Sequence, residues 1–523
     1  MRHGCVATLI TLVLAMSACR TTSPATAPVP VSPQRSQSTP GASEAPQRQQ
    51  WLEMFARAYF PGRSGQVFYV PREGDFLVER DPLYMFMHGS PWDYDVRIPM
   101  ILYGPGWIRQ GAWNDPVAQQ DLAPTLAALL KIAPPATVTG RALTQAIETA
   151  ATPPRIIAVF VLDGMRADYF DTHAEVLPTL VRLRREGASF TNARVTALPT
   201  ATSIGHANLG TGTDPRVHGL VVNRLFNRVT GQAQEAYHEL DPGELMALTL
   251  ADVWNINTEG RARIIGQGGA MRATAGLVGH GACLLNGHKT IATSYSTRDA
   301  GWETNPTCYT LSNALTAING RRYWEEAGGT WLGHDVANPA RFRSAGALFM
   351  RFEGDALTAV LAHEDIGGDA VTDLVLVNVK AIDYVSHAYG PASRETRDTL
   401  AELDRQIARA IQIIETKAGP RGSVIAISAD HGMPGEPPAG RRRITTMEVV
   451  EALNKRFSPT PPSIVQYYTD AANAQLHLDT RRINELGFSL KDVAAFLESQ
   501  FFIAAFTDDE VRDAQMRLPL RRP

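Results

Sequence analysis

Asp430 and His431 stand side by side at the end of the apolar run Val424-Ile425-Ala426-Ile427, and Gly432 follows them. A carboxylate and an imidazole placed this way offer oxygen and nitrogen donors to a divalent ion. The context occurs twice more: the run Ile156 to Leu162 ends on Asp163-Gly164, and the run Asp373 to Val379 is followed by Asp383, with His387 four residues further on. Carboxylates and imidazoles delivered by neighbouring strand ends can hold two divalent ions, and mixed oxygen and nitrogen ligation suits zinc, with manganese second. A lone Asp-His-Gly is also what a turn at a strand end looks like, so it is the repetition that points to metal chemistry. A fourth stretch, Leu198-Pro199-Thr200-Ala201-Thr202-Ser203-Ile204-Gly205-His206-Ala207, has the small residues of a turn entering a helix. The free amides of such a helix start favour an anion such as phosphate, and a threonine that only caps the helix is the other reading of Thr202.

Short continuous apolar runs are strands covered on both faces, and open α/β sheets place ligands at the carboxyl ends of such strands. Ser393 starts a helix whose Leu400, Leu403, Ile407, Ile411 and Ile414 recur at helical spacing up to Gly419-Pro420. It joins the strand before Asp383 to the strand before Asp430, giving a βαβ unit and a parallel pair. A further helix is expected from Leu177 to Gly187. Before Pro153-Pro154, the pattern reads as a helix from Trp51 to Tyr59, a strand from Gln66 to Val70, the loop His88-Gly89-Ser90-Pro91-Trp92-Asp93-Tyr94-Asp95, a strand from Ile98 to Gly104, and a helix from Asp121 to Leu130. Residues 225 to 368, irregular and rich in Gly and Thr, read as an inserted cap. Residues 433 to 523 hold a Pro-rich loop, a strand Ala474 to Leu478, a helix Leu490 to Leu497 and a single histidine, His477.

The chain has 523 residues, 44% of them hydrophobic and 20% charged, with a formal net charge of -3. This is globular composition with room for one large α/β domain and insertions, and it carries no nucleic-acid footprint. Met1-Arg2-His3 precedes an apolar run from Val6 to Met16, the pattern of a signal peptide, and the run is too short to span a bilayer. Met16-Ser17-Ala18-Cys19 resembles the bacterial lipobox, which implies removal of residues 1–18, a lipid on Cys19, and an exported, periplasm-facing or cell-envelope lipoprotein; an ordinary signal peptide with an incidental cysteine is the alternative, since small residues also precede ordinary cleavage sites. Residues 19–50, rich in Ser, Thr, Pro, Ala and Gln, read as a flexible tether. Cys283 and Cys308 are then the cysteines of the folded part; in an oxidising compartment they can pair, two free buried thiols being the alternative.

Taken together the motifs resemble the alkaline phosphatase superfamily, in the branch of phosphate-irrepressible alkaline phosphatases and type I phosphodiesterases/nucleotide pyrophosphatases. Leu162-Asp163-Gly164-Met165-Arg166 is similar to the family's first metal strand, and Pro199 to His206 to its nucleophile segment. His218-Gly219-Leu220-Val221-Val222-Asn223 is similar to the segment that contributes a phosphoryl-binding Asn. The resemblance implies a three-layer α/β sandwich with a largely parallel central sheet and an inserted cap. It implies Thr202 as nucleophile, and two zinc ions: one held by Asp163, Asp430 and His431 beside Thr202, the other by Asp383, His387 and His88. Asn223 and Arg272 would bind phosphoryl oxygens.

His88 enters because the family's last histidine and the helix after it are matched by His88 to Asp95 and by Asp121-Leu122-Ala123-Pro124-Thr125, at the wrong end of the chain. The resemblance therefore implies a circular permutation: 51–150 the permuted final segment, 151–224 and 369–435 core, 225–368 cap, and 436–523 a second insertion with core completion. The family's cap motif Lys-x-Arg keeps its Arg at Arg272 and has Ala270 in place of the Lys. One cation fewer favours a phosphodiester or nucleotide pyrophosphate over a monoester dianion. The implied function is a zinc-dependent phosphoric-ester hydrolase working through phosphothreonine on a small phosphorylated substrate. Alkaline phosphomonoesterase is the alternative within the class, and a non-catalytic phosphate-binding surface lipoprotein the alternative outside it.

Overall fold

Ile156–Leu162 is a strand of seven apolar residues, buried along its whole length, and the strands on either side of it lead to the site. The computed structural model describes residues 44–148, 152–284, 290–468 and 471–521. The expected signal peptide, Cys19 and residues 19–43 of the tether lie outside the described residues. Those from Pro46 onward form one compact unit.

In chain order the elements that matter are α1 (Glu44–Ala58), β1 (Val67–Pro71), β2 (Met100–Tyr103), α2 (Leu122–Leu130), β3 (Ile156–Leu162), α3 (Pro178–Glu186), β4 (Ala188–Phe190) and α4 (Thr202–Thr211). There follow β5 (Ile264–Gly268), α5 (Met271–Val278), β6 (Thr290–Tyr295), α6 (Ala347–His363), β7 (Asp373–Val379), α7 (Ala381–Tyr389), α8 (Arg394–Ala418), β8 (Ser423–Ser428), β9 (Gln475–Leu478), β10 (Phe502–Thr507) and α9 (Asp508–Arg517). The central sheet runs Trp302–Glu303, β6, β5, β7, β3, β8, β2, β4, Gly111–Trp113. From β6 to β8 every pairing is parallel, and β2 lies antiparallel to both β8 and β4. This is the α/β fold with a largely parallel central sheet that the sequence implies.

Helix α8 buries Leu400, Leu403, Ile407, Ile411 and Ile414 and packs against α6 and α3. Ser393 caps it, its hydroxyl accepting the Thr396 N–H at 3.1 Å. It ends at Gly419, whose φ of 78° suits a residue without a Cβ.

The residues before β3 are structural parts of this core. β2 fills a place inside the central sheet, and β1 sits between β9 and β10 in a second, antiparallel sheet. The first and last helices meet: Gln515 of α9 donates to the carbonyls of Ala56 and Tyr59, both at 2.7 Å.

Two boundaries differ from expectation. Helix α1 begins at Glu44, inside the span expected to be tether. The segment Glu44 to Gln50 is rich in helix formers, and Arg48 anchors it through the Ala505 carbonyl at 2.9 Å and Glu498 at 2.6 Å. Part of the expected cap, residues 225–368, belongs to the core instead, because β5 and β6 are hydrogen-bonded into the central sheet next to β7. The glycines that made this span look irregular permit close packing instead: a Cβ on Gly268 would lie 2.6 Å from Thr274 Oγ1 of α5. Cys283 and Cys308 are joined in a disulfide with Cα atoms 4.6 Å apart. Among the described residues no helix is long and apolar enough to cross a membrane.

Candidate metal centre and nucleophile

The ends of β3, β7 and β8 converge. Asp163 directly follows β3, and its N–H is tied to the Val379 carbonyl at the end of β7 at 3.0 Å. Gly164, at φ 70°, turns its N–H onto Asp430 Oδ1 at 3.2 Å. Asp430 and His431 follow β8. Asp383 departs from the expected strand end: it lies in the first turn of α7, with His387 one turn later on the same face. All six of the side chains Asp163, Asp383, Asp430, His88, His387 and His431 are buried.

The three imidazoles are oriented alike. His88 Nδ1 lies 2.5 Å from the Thr200 carbonyl, His387 Nδ1 2.6 Å from that of Phe86, and His431 Nδ1 2.9 Å from that of Gly432. A carbonyl can only accept, so each Nδ1 carries the proton and each Nε2 offers a lone pair, the outer-shell arrangement of ligating histidines. His387 Nε2 lies 3.2 Å and His88 Nε2 3.9 Å from Asp383 Oδ1; His431 Nε2 lies 3.2 Å from Asp430 Oδ2 and 3.7 Å from Asp163 Oδ1.

Two donor sets result, each with its ligand atoms within 4.8 Å of one another: His88, Asp383 and His431, and Asp163, Asp430 and His431. His431 reaches both sets, whereas the sequence assigns it to one. Three of these buried atoms, Asp383 Oδ1, Asp430 Oδ2 and His431 Nε2, have no hydrogen-bond partner among the described residues. A buried polar atom without a partner costs about 1–3 kcal/mol, and three in one cluster leave donor atoms that could hold a cation.

The electrostatics agree. Burial pushes Asp163 up to about 6, with the Asp430 charge adding to it. Burial also opposes ionisation of Asp383 and Asp430, but the Lys380 ammonium helps to hold both below the ordinary carboxylate range. Burial drives His88 well below its ordinary value, which keeps its Nε2 bare.

Thr202 opens α4 with its side chain buried against this cluster. The small residues of the segment let the helix start press on Asp430: a Cβ on Gly205 would fall 2.5 Å from Asp430 Cβ and 2.7 Å from its Cα. Gly205→Ala is therefore expected to displace Asp430 and to lower bound metal and turnover by tenfold or more, on the order of a lost supporting contact. Metal content of the purified variant checks it. Asn223 sits beside the same helix start, its Oδ1 accepting the Ser203 N–H at 3.0 Å. Its NH2 group is thereby turned the other way. Arg272 lies in the first turn of α5, with its buried Nε lacking a partner among the described residues. Ala270 immediately precedes that helix.

Residues before β3 hold the centre from outside. The Gly432 N–H donates to the Asp95 carbonyl at 2.8 Å, Gln119 Nε2 to the Asp430 carbonyl at 2.6 Å, and the Gly89 N–H to Thr200 Oγ1 at 2.9 Å. Sequence reasoning missed three neighbours. Asn378 of β7 donates to Asp163 Oδ2 at 2.8 Å and lies 2.9 Å from His206 Nε2. His206 in turn binds the Thr202 carbonyl through Nδ1 at 2.9 Å. Lys380 reaches Asp163, Asp383 and Thr202. The signals were there: an amide inside an otherwise apolar strand, and a lysine between that strand and a ligand carboxylate.

An α/β sheet whose carboxyl edge gathers carboxylates and imidazoles around a threonine at a helix start defines a class of protein as well as a fold. The sequence model of the type I phosphodiesterase / nucleotide pyrophosphatase family matches residues 157–503. The chain belongs to that family, within the alkaline phosphatase superfamily that its motifs resemble. Alkaline phosphatase PafA of Elizabethkingia meningoseptica is 26% identical over 334 residues, 54% of this chain and 61% of that protein. Alkaline phosphatase PhoV of Synechococcus elongatus is 23% identical over 360 residues, 57% of this chain and 64% of that protein. The matches thus span less than two thirds of either relative. The crystal structure of PafA superimposes with a TM-score of 0.57 at 20% identity, covering 67% of this chain and 77% of that one, a likeness of fold. His88 lies outside the residues that the family model matches.

Proposed function

We propose that the chain is a metal-dependent phosphoric-ester hydrolase with Thr202 as its nucleophile. One observation carries the reading: three histidines with Nδ1 engaged by carbonyls turn bare Nε2 atoms onto buried carboxylates beside the Thr202 hydroxyl. The unpartnered Asp383 Oδ1, Asp430 Oδ2 and His431 Nε2 fit divalent cations, and the donor set suits two zinc ions. Asp163, Asp430 and His431, with Thr202, would hold one; Asp383, His387 and His88 the other. Such ions supply Lewis acidity to a phosphoryl centre when bound.

The chain's own groups do the rest. Thr202 Oγ attacks phosphorus in line as the ester oxygen departs, giving a phosphothreonine that water then hydrolyses. The amides at the start of α4, the NH2 group of Asn223 and the guanidinium of Arg272 face the equatorial oxygens, where charge accumulates. The loss of a Lys at Ala270 favours a diester or pyrophosphate substrate; the relatives PafA and PhoV carry the name alkaline phosphatase and favour a monoester.

The order of segments is read as a circular permutation. The contact of α9 with α1 and the place of β1 between β9 and β10 support it, since the first and last described segments of the chain pack together in one layer. Residues 1–19 are read as a lipoprotein leader and anchor, so the enzyme would work outside the cytoplasm, a compartment that suits the Cys283–Cys308 bond.

Dialysis against a chelator is expected to lower hydrolysis of aryl phosphate mono- and diesters by about 100-fold or more, and Zn2+ to restore it. Hydrolysis that survives removal of all metal would overturn the proposal. Tight phosphate binding with no turnover on any ester would instead establish the non-catalytic reading.

A further inference from the structure

Lys380 is the feature the sequence did not anticipate. It joins β7 to α7, its side chain has no solvent exposure, and its ammonium touches three groups. Nζ lies 2.7 Å from Asp163 Oδ1 and 2.6 Å from Asp383 Oδ2, and donates to Thr202 Oγ1 at 3.0 Å. The side chain is fixed along its length. A Cβ on Gly269 would fall 2.5 Å from Lys380 Cβ, so the residue just past β5 can approach this closely only as glycine. The Tyr384 ring lies 5.4 Å from the ammonium, and Glu353 of α6 accepts the N–H groups of Lys380 at 3.2 Å and Ala381 at 3.1 Å.

A lysine serving only as a counter-ion would be satisfied by its two carboxylates. This one also donates to the uncharged hydroxyl of Thr202. We infer that Lys380 is a catalytic residue, fixing Thr202 Oγ for attack and supplying, with Arg272, the second of two protein cations that face the phosphoryl group. The inference rests on the reading of Thr202 as nucleophile.

In the first step the Oγ–P bond forms as the bond from phosphorus to the ester oxygen breaks, and the hydroxyl proton leaves through solvent to the departing oxygen. The ammonium stays protonated and offsets the charge that grows on Oγ before the new bond is complete. In the second step water attacks phosphorus, the Oγ–P bond breaks, and the water's proton passes to Oγ. Thr202 Oγ is now the leaving group, and the same contact stabilises it. A second fixed cation also gains more from a dianion than from a monoanion, which moves the favoured substrate from diester to phosphomonoester despite Ala270.

Lys380→Met keeps the volume and removes the charge, so it is compared with the wild-type holoenzyme on matched aryl phosphate mono- and diesters. Monoester kcat/KM is expected to fall about 100-fold or more and the diester value about tenfold less steeply, because only the charge-dependent part discriminates. Metal per chain is expected to stay constant or rise, since withdrawing an ammonium from Asp163 and Asp383 cannot weaken their hold on a cation. In Lys380→Ala, added ethylammonium is expected to restore turnover in a concentration-dependent way, with no such effect on wild type.

Loss of metal together with equal losses on both esters would reduce Lys380 to a structural strut and overturn the inference. A monoester loss below about threefold would do the same. Thr202→Ala, run alongside, separates the two levels: an active Thr202→Ala sinks the nucleophile reading, whereas an inactive Thr202→Ala beside a fully active Lys380→Met sinks only the role of Lys380.

Discussion

Thr202→Ala is expected to lose turnover by about 10³-fold or more while the chain keeps its fold and its metal. The reasoning is local. The hydroxyl accepts one hydrogen bond, from Lys380, and Lys380 retains two carboxylate partners without it, so stability should fall by only about 1 kcal/mol. The carbonyl of Thr202, which holds His206 in place, is untouched by the substitution. What disappears is the only part of the side chain able to form a bond to phosphorus. Thr200, two residues earlier, is the proper comparison: its hydroxyl accepts the Gly89 N–H and its carbonyl holds His88. Thr200→Ala is a change to the support of His88, and its loss should show in metal content before it shows in chemistry. Activity, metal content and melting temperature measured on both variants separate the two roles, and a Thr202→Ala enzyme that still turns over at the wild-type rate would remove Thr202 from the mechanism.

The parts of the fold that were legible in the sequence are those in which one local pattern fixes one structure. The apolar runs became β3, β7 and β8 because a strand buried on both faces needs an unbroken run and little else can use one. Helix α8 was written in its own spacing. Asp383 was misplaced by a subtler rule: it follows an apolar run as Asp163 does, but the chain turns into a helix at Ala381 first. The four-residue step to His387 is the clue, since only a helix brings residues so spaced onto one face.

Lys380 carries no local mark because a single lysine at the end of a strand is usually a solvated one, and its burial depends on Asp163 and Glu353, from distant segments, arriving beside its neighbour Asp383. Residues 264–268 were taken for cap because glycine dilutes a strand signal. Nothing local to Gly266 or Gly268 states that α5 will pack on them. His88 is the extreme case, since a histidine in a Gly-Ser-Pro loop is by itself an ordinary loop residue, and it is the resemblance of His88 to Asp95 and of Asp121 to Thr125 to the family's final segment, at the wrong end of the chain, that marks it.

His88 therefore carries the second large prediction. His88→Ala is expected to reduce bound metal from about two ions per chain to about one, and turnover by about 100-fold or more. The ring lies 3.5 Å from that of His431, centroid to centroid, and its Nε2 faces Asp383 Oδ1, so its removal opens the donor set that does not include Asp163 and Asp430. That other set keeps Asp163, Asp430 and His431 and should retain its ion. The freed carbonyl of Thr200 costs about 1–3 kcal/mol if no water reaches it, too little to unfold a domain of this size.

His477→Phe serves as the control. His477 is equally buried but sits among Phe226 and Tyr467, so metal content should not change there. Full metal occupancy in His88→Ala would mean that Asp383 and His387 hold their ion unaided, and the permuted reading of residues 51–150 would lose the one residue that gives it chemical content. Occupancy of one ion with the His477 control intact would leave a centre in which a ligand from residue 88 completes a donor set otherwise supplied by residues 383–431, brought together only by folding.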